Sequence, residues 1–265
     1  MNAVWIIAAG TFGEAMRRKI LNVFLFVALA LIVMGFAFAS FSPRQEIVLI
    51  KSMGLGVIGL AGVFISVILG INLIPNEIER RTIYTILSKP VQRYQFLCGK
   101  FLGGLMTVLS NIGLMGVLFV LLLTWKLSQF HDPFLGTDRD ILKGVLMIFF
   151  QLTLVSAVAL FFSVFLSPFV NFFLTFAVYL LGATGILESL GTPGEDKNRL
   201  TVQFFQLLHR IVPNFDNFNI QNPIIHPDVH IINETVYIWQ NIAYALVYTA
   251  ILLTLAVLIF DRREV

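Results

Sequence analysis

Apolar and polar positions come in blocks along this chain. Six long apolar stretches, at 20–41, 53–74, 101–125, 145–165, 169–187 and 239–260, are separated by polar connections of unequal length. A helix rises 1.5 Å per residue, so the first stretch extends about 33 Å and matches a hydrocarbon core of about 30 Å. The fourth and fifth stretches belong to one run, since residues 144–187 hold no charged side chain. As a single helix that run would extend about 66 Å, twice the needed thickness. It must fold back, and Ser167-Pro168 marks the break, because proline stops or kinks a helix. The pattern predicts an all-α, polytopic protein: six transmembrane helices in a single membrane domain over 1–265.

The connections predict further elements. In residues 3–19, Trp5, Ala8, Phe12 and Met16 fall on one side at helical spacing, with Thr11, Glu14 and Arg18 on another. This is the pattern of an amphipathic helix lying in the headgroup region. Residues 42–52 read as a short polar link. Residues 188–238 are the longest polar excursion, with an amphipathic segment at 200–212 whose apolar side carries Phe204, Leu207, Leu208 and Ile211. Within the second span, Gly54, Gly56, Gly59 and Gly62 predict close helix approach.

Composition narrows the class. The chain of 265 residues is 58% hydrophobic and 12% charged, against roughly 25% charged in soluble domains. A net charge of +3 without a basic stripe excludes nucleic acid as a partner. Cys98 is the one cysteine, so no intrachain disulfide forms. Basic residues crowd short segments beside span ends, at 17–19, 80–100 and 262–263. By the positive-inside rule, both termini and the 75–100 connection face the cytoplasm, and 188–238 is extracytoplasmic. His226, Asp228 and His230 offer nitrogen and oxygen ligand types, but without cysteine or a compact ligand array they assign no metal site.

The 75–100 connection concentrates the chemistry. It holds Glu77, Glu79, Arg80, Arg81, Lys89, Arg93 and Lys100, and each charge would cost about 2.5–3.5 kcal/mol at mid-bilayer, so the segment sits in water. Asn76 can cap a helix, with Glu79 at the third helical position. Ile83, Ile86 and Leu87 share one face, and Glu77, Arg81, Tyr84 and Ser88 another, before Lys89-Pro90 ends the helix. The prediction is a short cytoplasmic helix with its polar face turned to a soluble partner.

These residues resemble the type-2 ATP-binding-cassette exporter permeases. Members of that family carry, after the second span, an acidic pair, a small residue and Thr, then Leu-x-x-Pro-x-x-Arg, then Gly-Lys entering the third span. Here those positions are Glu77, Glu79, Thr82, Leu87, Pro90, Arg93, Gly99 and Lys100, with Arg81 where the family usually has glycine. The resemblance extends to the N-terminal helix, to Ser163 and Ser167 after the fourth span, to Pro213-Asn214-Phe215 and to Arg262-Arg263.

It implies an elbow helix over 1–19, a coupling helix within 75–100, and a chain that forms half of a translocation pathway in the bacterial inner membrane. It implies that Glu77, Glu79, Arg80, Arg81, Thr82, Leu87, Pro90 and Arg93 dock a cytoplasmic ATPase present in two copies, and that a second permease subunit completes a homo- or heterodimer. No G-x-x-x-x-G-K-[ST] phosphate loop occurs in the sequence. The chain is therefore expected to be non-catalytic and without a cofactor of its own, with ATP and Mg on the partner ATPase. One alternative is a permease-like subunit that transmits ATPase-driven force to an envelope partner at 188–238 without passing a substrate. Another is a secondary transporter or channel, against which the absence of Asp, Glu, Lys, Arg and His from the predicted spans argues.

Overall fold

A computed structural model describes residues 3–41, 46–74, 92–128, 138–192, 199–219 and 233–262. The described residues fold into nine α-helices and one 3-10 turn: α1 Ala3–Met16, α2 Lys19–Ala39, α3 Glu46–Asn72, α4 Arg93–Leu127, α5 Asp138–Ser163, α6 Pro168–Ala183, α7 Ile186–Gly191, α8 Arg199–Ile211, the 3-10 turn Asp216–Phe218, and α9 Glu234–Arg262. Five of these are long and apolar enough to cross a membrane, namely α2, α3, α4, α5 from Ile141, and α9. The expected fifth of the six spans, α6, has 16 residues, about 24 Å. It ends at Thr184-Gly185, where Gly185 takes a left-handed φ of 64° that an L side chain resists.

The centre of the bundle is α3 against α5. Both are more deeply buried than α2 or α9, whose apolar residues face outward. A side chain added at Gly62 would collide with Leu152, and one at Gly70 with Ala159, so small residues bring these two helices together. The fold-back is where proline places it: Ser167 precedes Pro168, the first residue of α6. Asn171, fully buried, donates from Nδ2 to the Ala159 carbonyl at 2.9 Å and accepts from Thr175 Oγ1 at 2.8 Å. That polar staple locks the α5–α6 hairpin.

Several sequence expectations are corrected. The described part of the 42–52 link is helical, because α3 begins at Glu46. Glu46 and Lys126, read as loop residues, form an ion pair at 2.8 Å between the first turn of α3 and the last turn of α4. Pairing is what lets these helices run past their apolar cores into charged sequence. Lys143 and Glu234 make a second pair at 3.0 Å between α5 and α9. The predicted faces of α1 are also revised. Its buried stripe is Ala8, Thr11 and Ala15, while Trp5 and Met16 are exposed. Thr11 is accommodated because its hydroxyl donates to the Ile7 carbonyl at 2.8 Å. Small residues win the contact because α1 lies directly on α4.

Candidate functional site

Two places carry functional geometry. The first is the pair of chain ends that flank 75–91, a segment outside the described residues together with Glu77, Glu79, Arg80, Arg81, Thr82, Leu87 and Pro90. On the entering side, Leu73 and Ile74 are buried against Phe96, Leu97 and Phe101 of α4, Leu160 of α5 and Phe260 of α9. On the leaving side, the Gln92 N–H donates to Gln95 Oε1 at 3.2 Å and so caps α4. Both roots therefore end in one packed cluster built from four helices.

Arg93 reinforces that cluster. Its Nη1 donates to the carbonyls of Phe260 and Asp261, both at 2.9 Å, and its guanidinium lies 5.8 Å from the Phe260 ring centroid. Its Nε is 3.9 Å from the Asp261 carboxylate. A cation on the terminal carbonyls of α9 is the favoured charge for a helix C-terminus. Arg93 is thus engaged with the last helix of its own chain. Gly99 and Lys100, read as the motif entering the third span, lie within α4. A Cβ at Gly99 would stand 2.8 Å from Ile7 Cβ and 3.0 Å from the Val4 carbonyl oxygen. One at Gly103 would stand 2.5 Å from the Ala8 carbonyl oxygen and 2.6 Å from Thr11 Cβ. Gly99-x-x-x-Gly103 is the groove that receives α1. Lys100 is buried beside it, with its ammonium 5.8 Å from the Phe96 ring centroid.

The second place is a cavity of about 340 Å³ between α3, α5, α6 and the 215–219 segment. Its walls include Leu60, Phe64, Phe176, Tyr179, Phe215 and Phe218, and its polar groups include Gln151, Asp216 and Asn219. Gly56 and Gly59 line it, and a Cβ at either would meet no atom within 4 Å. The glycine run of α3 therefore splits in two. Gly54 and Gly62 make room for Phe119 and Leu152, whereas Gly56 and Gly59 leave space empty.

Residues 5–265 match the family described as ABC-2 family transporter protein. The chain belongs to that family. It is a multi-pass membrane protein and a permease subunit of an ATP-binding-cassette transporter, and membership implies association with an ATPase subunit. The comparison with curated proteins finds no match.

The permease also holds a set of side-chain contacts that no motif in the sequence marks. Tyr237, Tyr244 and Tyr248 lie on α9 at spacings of seven and four, and all three hydrogen-bond the backbone of 211–217. Tyr248 donates to the Ile211 carbonyl. Tyr244 accepts from the Asn214 N–H at 3.0 Å. Tyr237 donates to the Asn217 carbonyl at 2.8 Å. The Phe215 N–H donates to the Gly182 carbonyl at 3.0 Å. Tyr248 sits 12 residues before Phe260, about 18 Å along α9. So 211–217 runs alongside α9 between Tyr237 and Tyr248. The only advance signal was the i, i+7, i+11 spacing of the tyrosines. Among the described residues no group of three or more His, Cys, Asp or Glu is placed to hold a metal ion. His226, Asp228 and His230 lie outside them.

Proposed function

We propose that this permease is the membrane half of an ATP-driven exporter, moved by a separate ATPase through the 75–91 segment. The supporting observation is the rooting of that segment: Leu73–Ile74 and Gln92–Arg93 both end in the cluster that joins α3, α4, α5 and α9. A load applied to a connector rooted in this way reaches four long helices together, because close-packed interiors transmit displacement and do not absorb it. In this reading α1 is the elbow helix, α6 is the short fifth of six spans, and residues 77–88 form the coupling helix. Glu77, Glu79, Arg80, Arg81, Thr82, Leu87 and Pro90 meet the ATPase. Arg93 passes the motion to α9 and is a positioning residue. ATP and Mg belong to two ATPase copies, this chain has no catalytic role, and a second permease subunit completes the pathway. The protein sits in the bacterial inner membrane with both termini in the cytoplasm.

The test is gentle affinity purification in detergent. A nucleotide-binding subunit should accompany the chain, with ATPase activity that depends on it. The double variant Glu79→Lys/Arg81→Glu should keep the fold and lose that stimulation. Unchanged co-purification and unchanged ATPase activity in the variant would overturn the docking assignment. A force-transmitting subunit without substrate passage is the second reading, favoured by the size of the 188–238 region. It predicts the same ATPase dependence but an envelope protein captured through that region.

A further inference from the structure

The cavity between α3, α5, α6 and the 215–219 segment has a chemistry of its own. Its volume of about 340 Å³ falls at the small end of the range for organic-ligand sites. Its body is aromatic and aliphatic. Phe64 stacks on Phe176 with centroids 5.6 Å apart, and Tyr179 packs against Phe215 at 5.4 Å. One charged residue lines it, the solvent-exposed Asp216, and no Lys, Arg or His does among the described residues. Asp216 is held in place by its own N–H, which donates to Asn214 Oδ1 at 3.0 Å. A small crevice that also reaches Asp216 holds Glu188 and His209, and Arg210 joins those two in the next crevice along. The space itself is preserved by glycine, since Gly56 and Gly59 point at it with nothing in contact.

We infer that this cavity binds a small lipophilic organic cation, its apolar groups against the aromatic wall and its positive charge held near Asp216. Aromatic faces add to the selection, because a ring quadrupole attracts a cation and not an anion. An anion of equal size and apolarity meets the same walls and is repelled by the carboxylate. The inference deepens the transport reading by naming a substrate class, and binding to the purified chain tests it without any ATPase.

The experiment uses two probes of nearly equal size and opposite charge, tetraphenylphosphonium and tetraphenylborate, in equilibrium binding to the detergent-purified chain with empty micelles as reference. The wild type should prefer the phosphonium by about tenfold or more. Asp216→Asn should bring the two affinities together. Gly59→Leu, which fills the cavity where a side chain meets open space, should abolish saturable binding of both while the melting temperature holds. Equal affinities in the wild type, or a preference that survives Asp216→Asn, would overturn the charge assignment. Saturable binding retained in Gly59→Leu would show the site to lie elsewhere. Loss of ATPase coupling with phosphonium binding intact would instead count against the transport reading alone.

Discussion

The permease uses glycine for opposite ends in two regions. At the start of α4, Gly99 and Gly103 are covered by α1 so closely that an added Cβ would strike backbone and Cβ atoms. In α3, Gly56 and Gly59 face a cavity and would strike nothing. The first pair closes distance and the second keeps a volume open. The region that receives the load is thus packed without slack, while the region suited to hold a ligand is kept hollow. The two share α3, which runs from the cavity wall into the loop-end cluster. Leu55, Gly56, Gly59 and Leu60 line the cavity, and Leu73 and Ile74 anchor the cluster.

The comparison breaks most sharply on paired leucine substitutions. Gly99→Leu/Gly103→Leu should dislodge α1 from α4 and cost several kcal/mol, since overpacking costs about 1–3 kcal/mol at each site and here the opposing atoms are carbonyl oxygens and the Cβ and Cγ2 atoms of Ile7 and Thr11, close to the backbone. Thermal unfolding of the detergent-purified protein should show a large drop in midpoint or no folded protein. If the drop is no larger than for Gly56→Leu/Gly59→Leu, the contrast between the two regions is wrong.

The ends of the helices give the next effect. Glu46 and Lys126 are both largely shielded and 2.8 Å apart, and Ser40 Oγ donates to the same Glu46 oxygen at 3.3 Å. Breaking a fully buried pair costs about 3–5 kcal/mol, and the partial exposure here reduces the expectation for Lys126→Ala to about 2 kcal/mol. The swap Glu46→Lys/Lys126→Glu should recover more than half of the loss. A swap that is worse than either single change would show that surrounding dipoles, and not the pair, set the charge order.

The tyrosine ladder gives a smaller effect that sharpens the comparison at the cavity. Tyr244→Phe removes the acceptor of the Asn214 N–H, and an unsatisfied backbone donor costs about 1–2 kcal/mol. Because Asn214 also positions Asp216, the same variant should weaken phosphonium binding a few-fold while leaving the α1–α4 contact untouched. Equal loss of binding in a variant far from the cavity would reassign the effect to general loosening.

The fold was legible where one strong local signal decided it. The uncharged run 144–187 had to fold back, and Pro168 fixed the place. The helix ends were not legible, because Glu46 and Lys126 look like loop residues until their partners are known across the bundle. The apolar face of α1 misled for a related reason. Large side chains suggest burial, but the contact with Gly99 and Gly103 selects small ones, and Trp5 is left outside. The loop motif pointed to Arg93 and Gly99. Their contacts with Phe260 and Ile7 join residues far apart in the chain, and no period records them. The cavity was least legible. Open and covered glycines are identical as letters, and only packing distinguishes Gly59 from Gly62.

The smallest expected effect is the most diagnostic for that last distinction. Gly59→Ala adds one methyl group to a helix interior where no atom stands within 4 Å. In water, alanine is favoured over glycine by about 0.8–1 kcal/mol in a helix, through the backbone entropy that glycine loses. Within a bundle already held by α5 and α6 that gain shrinks, so the melting midpoint should stay level or rise slightly. Gly62→Ala, three residues away on the covered face, should lower it, because Leu152 must shift to admit the methyl. A matched pair of melts therefore reads the cavity as present or absent before any ligand is known. Two equal drops would mean that α3 is covered on both faces in the folded protein and that the hollow does not exist.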